Sequence, residues 1–211
     1  KLSQQGKTLM ILAVSEKIVG VITTSDVIRP HAKDTVERLK SLGLEVGMLT
    51  GDNRYVAGAI ANELNITTVL SEVLPEDKSN EIKKIQAKGL TVGMVGDGIN
   101  DAPALAQSDL GIAVGSGTDV AIEASDITLM TNDLRAVADA IELSNRTMAK
   151  VKQNLFWAFF YNCLGIPIAA GVLYPTFGIL LTPVYAALAM AFSSVSVVSN
   201  SLLLKKINFK K

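Results

Sequence analysis

From Gln153 to Leu204 the chain carries no Asp, Glu, Lys, Arg or His, so every charged residue lies at or before Lys152 or at or after Lys205. The overall charge is balanced, 20 Lys and Arg against 20 Asp and Glu, so it is the segregation of charge that constrains the fold. A membrane-spanning helix needs about 20 predominantly apolar residues. The uncharged stretch therefore predicts a two-helix transmembrane hairpin over 153–204, reversing at Tyr174-Pro175-Thr176-Phe177-Gly178. Lys150 and Lys152 precede the first span, and Lys205, Lys206, Lys210 and Lys211 follow the second. Both outer ends are thus predicted to be cytoplasmic. The balanced charge points to no nucleic-acid partner, and the single cysteine, Cys163, excludes an internal disulfide. The opening Lys1–Gly6 lacks an initiator methionine and a signal-peptide pattern, which predicts a sequence that begins partway through a longer protein.

The charged part alternates short apolar runs with amphipathic ones. Thr8–Val14 and Ile18–Thr23 predict an antiparallel strand pair. Helices are predicted over Ala32–Leu42, Tyr55–Leu64 and Glu81–Lys88, then from Ala104 and over Val120–Ala124. Strands are predicted at Leu44–Leu49, Leu110–Val114 and Ile127–Met130, with short extended pieces at Val69-Leu70 and Val73-Leu74. This alternation predicts an α/β fold, a doubly wound and mostly parallel sheet with helices on both faces. The glycines between Gly111 and Gly117 match no nucleotide-loop spacing and read as a tight strand-to-helix turn. His31, beside Pro30 and without a Cys or His partner, reads as a helix-start residue and not as a ligand. From Asp133 a long helix runs toward the uncharged stretch like a stalk.

In Val92-Gly93-Met94-Val95-Gly96-Asp97-Gly98-Ile99-Asn100-Asp101-Ala102-Pro103 an apolar strand ends in a Gly-Asp-Gly turn, and a proline can open the next helix. Loops at the carboxyl ends of strands bind ligands in open α/β sheets, so Asp97 and Asp101 would face the crevice. Two carboxylates there suit Mg²⁺, which keeps several waters and bridges to phosphate. Upstream, Leu44–Asn53 repeats the strand-then-polar-turn pattern, and Pro75-Glu76-Asp77-Lys78 places a lysine between the two.

Together these segments resemble the haloacid dehalogenase superfamily and, within it, the phosphorylation domain of P-type ATPases. The matching motifs are Thr50-Gly51-Asp52, Lys78 and Gly96-Asp97-Gly98-Ile99-Asn100-Asp101. The resemblance implies a chemistry for Thr50, Gly51, Asp52, Lys78, Asp97, Asn100 and Asp101. Mg²⁺ would lie on Asp97, assisted by Asp101, with Lys78 and Thr50 holding the oxygens of a phosphoryl group derived from ATP. Asp26-Val27-Ile28-Arg29-Pro30 resembles the family's Asp-Pro-x-Arg hinge, with Val27 in the place of proline, and Arg29 is a planar donor that could reach a phosphate. The implied domains are a cytoplasmic phosphorylation domain over 1–132, a stalk over 133–152, the hairpin over 153–204 and a tail over 205–211.

Polar residues inside apolar spans are functional candidates. Met190 and Ser194 stand four apart on one helical face, and soft sulfur favours Cu(I) over hard cations. With Asn154, Tyr161-Asn162 and Pro167, the spans resemble the last two membrane helices of copper-transporting heavy-metal P-type ATPases. That resemblance implies a copper path through Tyr161, Asn162, Met190 and Ser194. The aspartate that related zinc and cadmium pumps carry is absent, Cys163 lies outside the matched motif, and Ser196 and Ser199 read as packing residues.

The sequence has no Asp-Lys-Thr-Gly-Thr, Cys-Pro-Cys or Thr-Gly-Glu motif. The expectation is thus the C-terminal portion of an ATP-driven pump for monovalent copper or silver, inactive alone, in a plasma (inner) membrane and supplied by a copper chaperone. The rivals are a zinc or divalent-copper pump, a membrane-anchored phosphatase of the same superfamily, and a receiver-type regulatory module.

Overall fold

A computed structural model describes residues 7–24, 27–115, 119–178 and 182–206. It divides into two compact units, Lys1–Ala138 and Asp139–Lys211. The first begins with β1 (Thr8–Val14) and β2 (Lys17–Thr24), an antiparallel hairpin joined by Ser15-Glu16, both with positive φ. That is the twist a two-residue hairpin loop needs. Most of the hairpin's apolar side chains, Met10, Ile11, Ile18 and Ile22 among them, are exposed.

The helix–strand alternation then unfolds as predicted: α1 (Ala32–Ser41), β3 (Gly47–Leu49), α2 (Arg54–Glu63), β4 (Thr68–Leu70), α3 (Lys78–Gln86), β5 (Gly93–Gly96), α4 (Ala102–Gln107), β6 (Leu110–Val114), α5 (Asp119–Glu123) and β7 (Ile127–Leu129). All ladders here are parallel, β3 on β4 and β5 on β6 on β7. The expected single sheet is, among the described residues, two separate ones. The cause is length. β3 and β4 have three residues each, and Leu44–Val46 make no ladder. The layer continues through packing instead, because Leu49 at the end of β3 packs against Ile82, Met94, Ala104, Leu105 and Ala121. A second core joins Ala32 and Val36 of α1 to Ala61, Leu64 and Ile66, with Met48, Val69 and Leu134 against them.

Local chemistry sets the element ends. Asn53 caps α2, its side chain accepting from the Tyr55 and Val56 amides at 3.0 and 3.1 Å. His31 does stand at the N-cap of α1, in a left-handed conformation, and caps nothing with its side chain. Gly115 ends β6 at φ 78°, where a Cβ would sit 1.9 Å from Asn132 Oδ1, so only glycine fits that turn. The rest of the predicted Gly-rich turn, 116–118, lies outside the described residues, as do Asp26 of the hinge and the tail lysines Lys210 and Lys211. Val73-Leu74 form no strand. Glu72 and Val73 instead donate their amides to the Asp52 and Thr50 carbonyls at 2.9 and 3.2 Å.

A 35-residue helix, α6 (Arg135–Ala169), begins in the first unit and continues through the second, with Pro167 in its last turn. After a turn at 170–173 come α7 (Tyr174–Phe177), Gly178 in a left-handed conformation, and α8 (Pro183–Leu202). Reversal thus occurs near the predicted place. Among the described residues, however, no helix is long and apolar enough to cross a membrane, unlike the expected two-helix transmembrane hairpin over 153–204. Although uncharged, the half of α6 after Lys152 is diluted by Gln153, Asn154, Tyr161 and Asn162.

Two predictions follow from this architecture. Leu105 is 1 % exposed at the centre of its core, so Leu105→Ala should destabilise the first unit by about 3 kcal/mol. Chemical denaturation with an unchanged midpoint would refute that placement. At the start of α6, Asp133 accepts from the Arg135 guanidinium at 2.6–3.1 Å and from the Arg135 amide at 3.0 Å. Those bonds, the side-chain ones first, hold its carboxyl at about 2 against an ordinary 3.8. Since the folded value lies below the unfolded one, this stabilisation is complete above pH 3.8 and disappears as the pH falls through 2. NMR titration should find Asp133 ionising near 2 in the parent and higher, but still below its ordinary value, in Arg135→Ala, which keeps the Arg135 amide bond.

Candidate functional site

The loops after β3 and β5 each leave the carboxyl end of a parallel strand. After β5, Gly98 and a short 3₁₀ turn over Ile99–Asp101 lead into α4, the Asp101 amide donating to the Gly98 carbonyl at 3.1 Å. Asp101 folds back against the strand end: a Cβ on Gly96 would meet the Asp101 Cβ at 2.8 Å. A glycine is therefore required there for the close approach. The Asp101 carboxylate accepts from Lys78 Nζ at 2.7 Å, with the two side chains only 16 % and 14 % exposed. Lys78 was expected in a loop. It is the first residue of α3, set there by a 3₁₀ turn at Pro75–Asp77.

Asp97 forms an ion pair with Arg29 NH2, both side chains being 47 % exposed. Sequence reasoning aimed Arg29 at a phosphate and missed this carboxylate. The two residues lie 68 apart, and only the lone arginine at the hinge could have hinted at the contact. In the loop after β3, the Thr50 hydroxyl donates to Asp52 at 2.7 Å and accepts from the Asp52 amide at 3.1 Å. The Thr50 amide donates to the Leu70 carbonyl at 2.9 Å, extending the β3–β4 ladder by one step. Asp101 thus contacts both Lys78 and Gly96, Asp97 pairs with Arg29, and Thr50 and Asp52 pair with each other. Asn100 lies exposed in the 3₁₀ turn.

This geometry fits Mg²⁺ in its usual protein setting, one or two carboxylates completed by water and substrate phosphate. Asp97 is the accessible carboxylate, and Asp101 is nearby but engaged by Lys78. A closed cage of three or more His, Cys, Asp or Glu is not found among the described residues, and Mg²⁺ needs none. Arg29 and Lys78 are the cations at hand for a phosphoryl group.

In the second unit, Tyr161 helps line a cavity of about 240 Å³ with Asn154, Trp157, Ser196 and Asn200. Its ring joins a run of edge and tilted contacts with Trp157 and Phe160. Asn162 turns its amide back to the Ala158 carbonyl at 2.9 Å, and Ser194 donates to the Met190 carbonyl at 3.2 Å. Met190 is 72 % exposed. Of the four predicted metal residues, Tyr161 is the one facing this cavity. Asn154 of the matched pattern and Asn200 of α8 also line it.

Residues 1–109 match the family model of haloacid dehalogenase-like hydrolases. The chain is 58 % identical, over 97 % of its length, to a probable copper-exporting P-type ATPase of Archaeoglobus fulgidus, covering 25 % of that protein. It is 55 % identical, over 96 % of its length, to the probable copper-transporting ATPase PacS of Synechocystis, covering 27 % of it. Among solved structures, a zinc-transporting PIB-type ATPase in its E2.Pi state superposes with a TM-score of 0.80 at 35 % identity, over 96 % of this chain and 32 % of that one. The chain thus spans about a quarter of the length of the curated relatives it matches. It belongs to the haloacid dehalogenase-like hydrolase family, and over nearly all its length it is a homologue of the copper P-type ATPases.

Proposed function

We propose that the chain is part of an ATP-driven membrane pump that translocates Cu(I), or Ag(I), through an aspartyl-phosphate on a residue this sequence does not contain. The observation that carries this reading is the contact of Lys78 with Asp101 beside the accessible Asp97, in a chain that also bears uncharged helices with Tyr161, Met190 and Ser194. The first group suits phosphoryl transfer and the second a soft cation. Domains over 1–132, 133–152, 153–204 and 205–211 remain part of the proposal, as does a copper chaperone as metal donor.

Thr50, Gly51, Asp52, Lys78, Asp97, Asn100 and Asp101 serve the phosphoryl group. Lys78 opposes the charge that develops on the transferring oxygens, and the Thr50 hydroxyl donates to one of them. Asp97, with Asp101, presents carboxylate oxygen to Mg²⁺, which supplies charge neutralisation on the phosphate oxygens. With Asp97 holding the ion, Arg29 would be the planar donor left for phosphate.

Placement in the plasma (inner) membrane is supported by exposed apolar side chains along both helices, including Phe159, Ile166, Val184 and Phe192. A span with Asn and Gln on one side is accommodated where that side faces other protein and not lipid. Zinc transport is the second reading, favoured by the structural neighbour described as zinc-transporting. The lack of any carboxylate from Gln153 to Leu204 weighs against it, because a divalent ion in a low-dielectric span needs compensating charge.

In the intact pump, Asp97→Asn should abolish Mg²⁺-dependent phosphoenzyme turnover while leaving the circular dichroism spectrum unchanged, and Lys78→Ala should slow phosphorylation on the order of a hundredfold. Parent-level turnover in Asp97→Asn would remove Asp97 from the machinery. Metal identity is read from ATPase rate against free Cu(I), Ag(I) and Zn(II) under reducing conditions. Cu(I) should stimulate the parent, and Met190→Ala or Tyr161→Ala should lose most of that stimulation, with Ser199→Ala little changed. Stimulation by Zn(II) alone would overturn the copper reading.

A further inference from the structure

The helices of the second unit are joined at one end by side-chain hydrogen bonds. Asn200 of α8 is the hub. Its Oδ1 accepts from Lys150 Nζ at 2.7 Å, and its Nδ2 donates to Asn154 Oδ1 at 2.8 Å. Asn154 Nδ2 in turn donates to Ser201 Oγ at 2.9 Å, and Ser201 Oγ donates to the Val197 carbonyl at 2.9 Å. Each amide is thereby used at both its oxygen and its nitrogen.

The bonds lie on two facing stripes. On α6 the spacing is Lys150, Asn154, Trp157, Tyr161. On α8, Ser193, Val197, Asn200 and Ser201 are half-buried on a helix whose other described side chains are exposed. Extending that stripe by one turn reaches Met190. The helices run antiparallel, and seven residues separate Asn154 from Tyr161 and Asn200 from Ser193. At 1.5 Å per residue both steps are about 10 Å, which sets Tyr161 level with Ser193 and about one turn from Met190.

An apolar seam of Leu and Val side chains repeats every turn and tolerates sliding. An amide pair does not, because the donor and acceptor of each partner meet in one register only, the role a single buried Asn plays in coiled coils. A slip of one turn is about 5.4 Å, whereas bonds from a metal to nitrogen or oxygen donors are about 2 Å long, so an unfixed register would dissolve any site shared between the helices.

We infer that Asn154 and Asn200, assisted by Lys150 and Ser201, are positioning residues that lock α6 and α8 in one register and thereby set Tyr161 against the Met190 helix. The inference deepens the copper reading and rests on it for its functional consequence; the register lock itself does not depend on which ion is carried.

The test uses the intact pump in a Cys163→Ser background, with Trp157→Cys and Val197→Cys as the facing pair and Trp157→Cys with Ser193→Cys as the pair displaced by one turn. Cross-linking reports register without any transport, and ATPase titrations on variants without these cysteines report half-saturating Cu(I) and maximal rate separately. Asn200→Leu should cut the facing cross-link at least threefold, raise the displaced one, and increase half-saturating Cu(I) about tenfold. Adding Asn154→Leu should not restore either readout, although it removes the orphaned amide. Recovery in the double variant would reduce the pair to ordinary polar packing and overturn the proposal. So would an unchanged cross-link in Asn200→Leu, or a displaced cross-link with unchanged half-saturating Cu(I). A displaced cross-link in a pump whose parent form ignores Cu(I) would uphold the lock and sink the copper reading.

Discussion

The ion pair between Lys78 and Asp101 is the interaction on which the geometry of the first unit's polar loops depends. Its side chains are mostly buried, and removing one partner of such a pair leaves an uncompensated charge costing on the order of 3 kcal/mol. The pair also does geometric work. It joins the first turn of α3 to the 3₁₀ turn that opens α4, and it draws Asp101 onto Gly96 at the end of β5. With one carboxylate so committed, Asp97 is left as the accessible one, and its partner Arg29 is exchangeable because the contact is half exposed.

The loop after β3 is organised by different means. Val73 and Glu72 return their amides to Thr50 and Asp52, so a strap with no regular structure takes the place of a longer ladder. Thr50 and Asp52 are then fixed by each other, and Asn53 begins α2 in the next residue. Short strands become an advantage in this arrangement. They end early enough for the polar turns to sit above a core made largely of small residues, with Ala57, Ala104, Ala113 and Ala121 fully buried.

Local periodicity made much of this legible. Leu110–Val114 is the predicted strand to the residue, and the predicted helix at Tyr55–Leu64 is displaced by one position. The motif residues lie on the loops expected of them, except that Lys78 opens a helix, because Pro75 nucleates a 3₁₀ turn that the helix simply continues. What the sequence could not carry was pairing at a distance. Leu44–Val46 look like strand but join no ladder, and the partnership of Arg29 with Asp97 joins segments 68 residues apart. The metal residues of the second unit were read as one set, yet helical geometry puts Tyr161 on the stripe that faces α8 while Asn162, one residue on, is rotated about 100° away and bonds its own helix.

The polar residues of the second unit explain both its weak hydropathy and its order. Gln153 and Asn154 dilute the apolar character of α6, and together with Asn200 of α8 they are the residues that bond across the hairpin. In a uniformly apolar pair the helices would be held only by dispersion, with neighbouring registers close in energy. Lipid would offer little to separate those registers, since its tails are as apolar as leucine. Placing amides on the facing stripes costs hydropathy in proportion to their number, but it makes every wrong register leave a donor or acceptor unmatched in a medium that cannot replace it. Low hydropathy at Asn154 and Asn200 is therefore evidence about packing partners as much as about solvent.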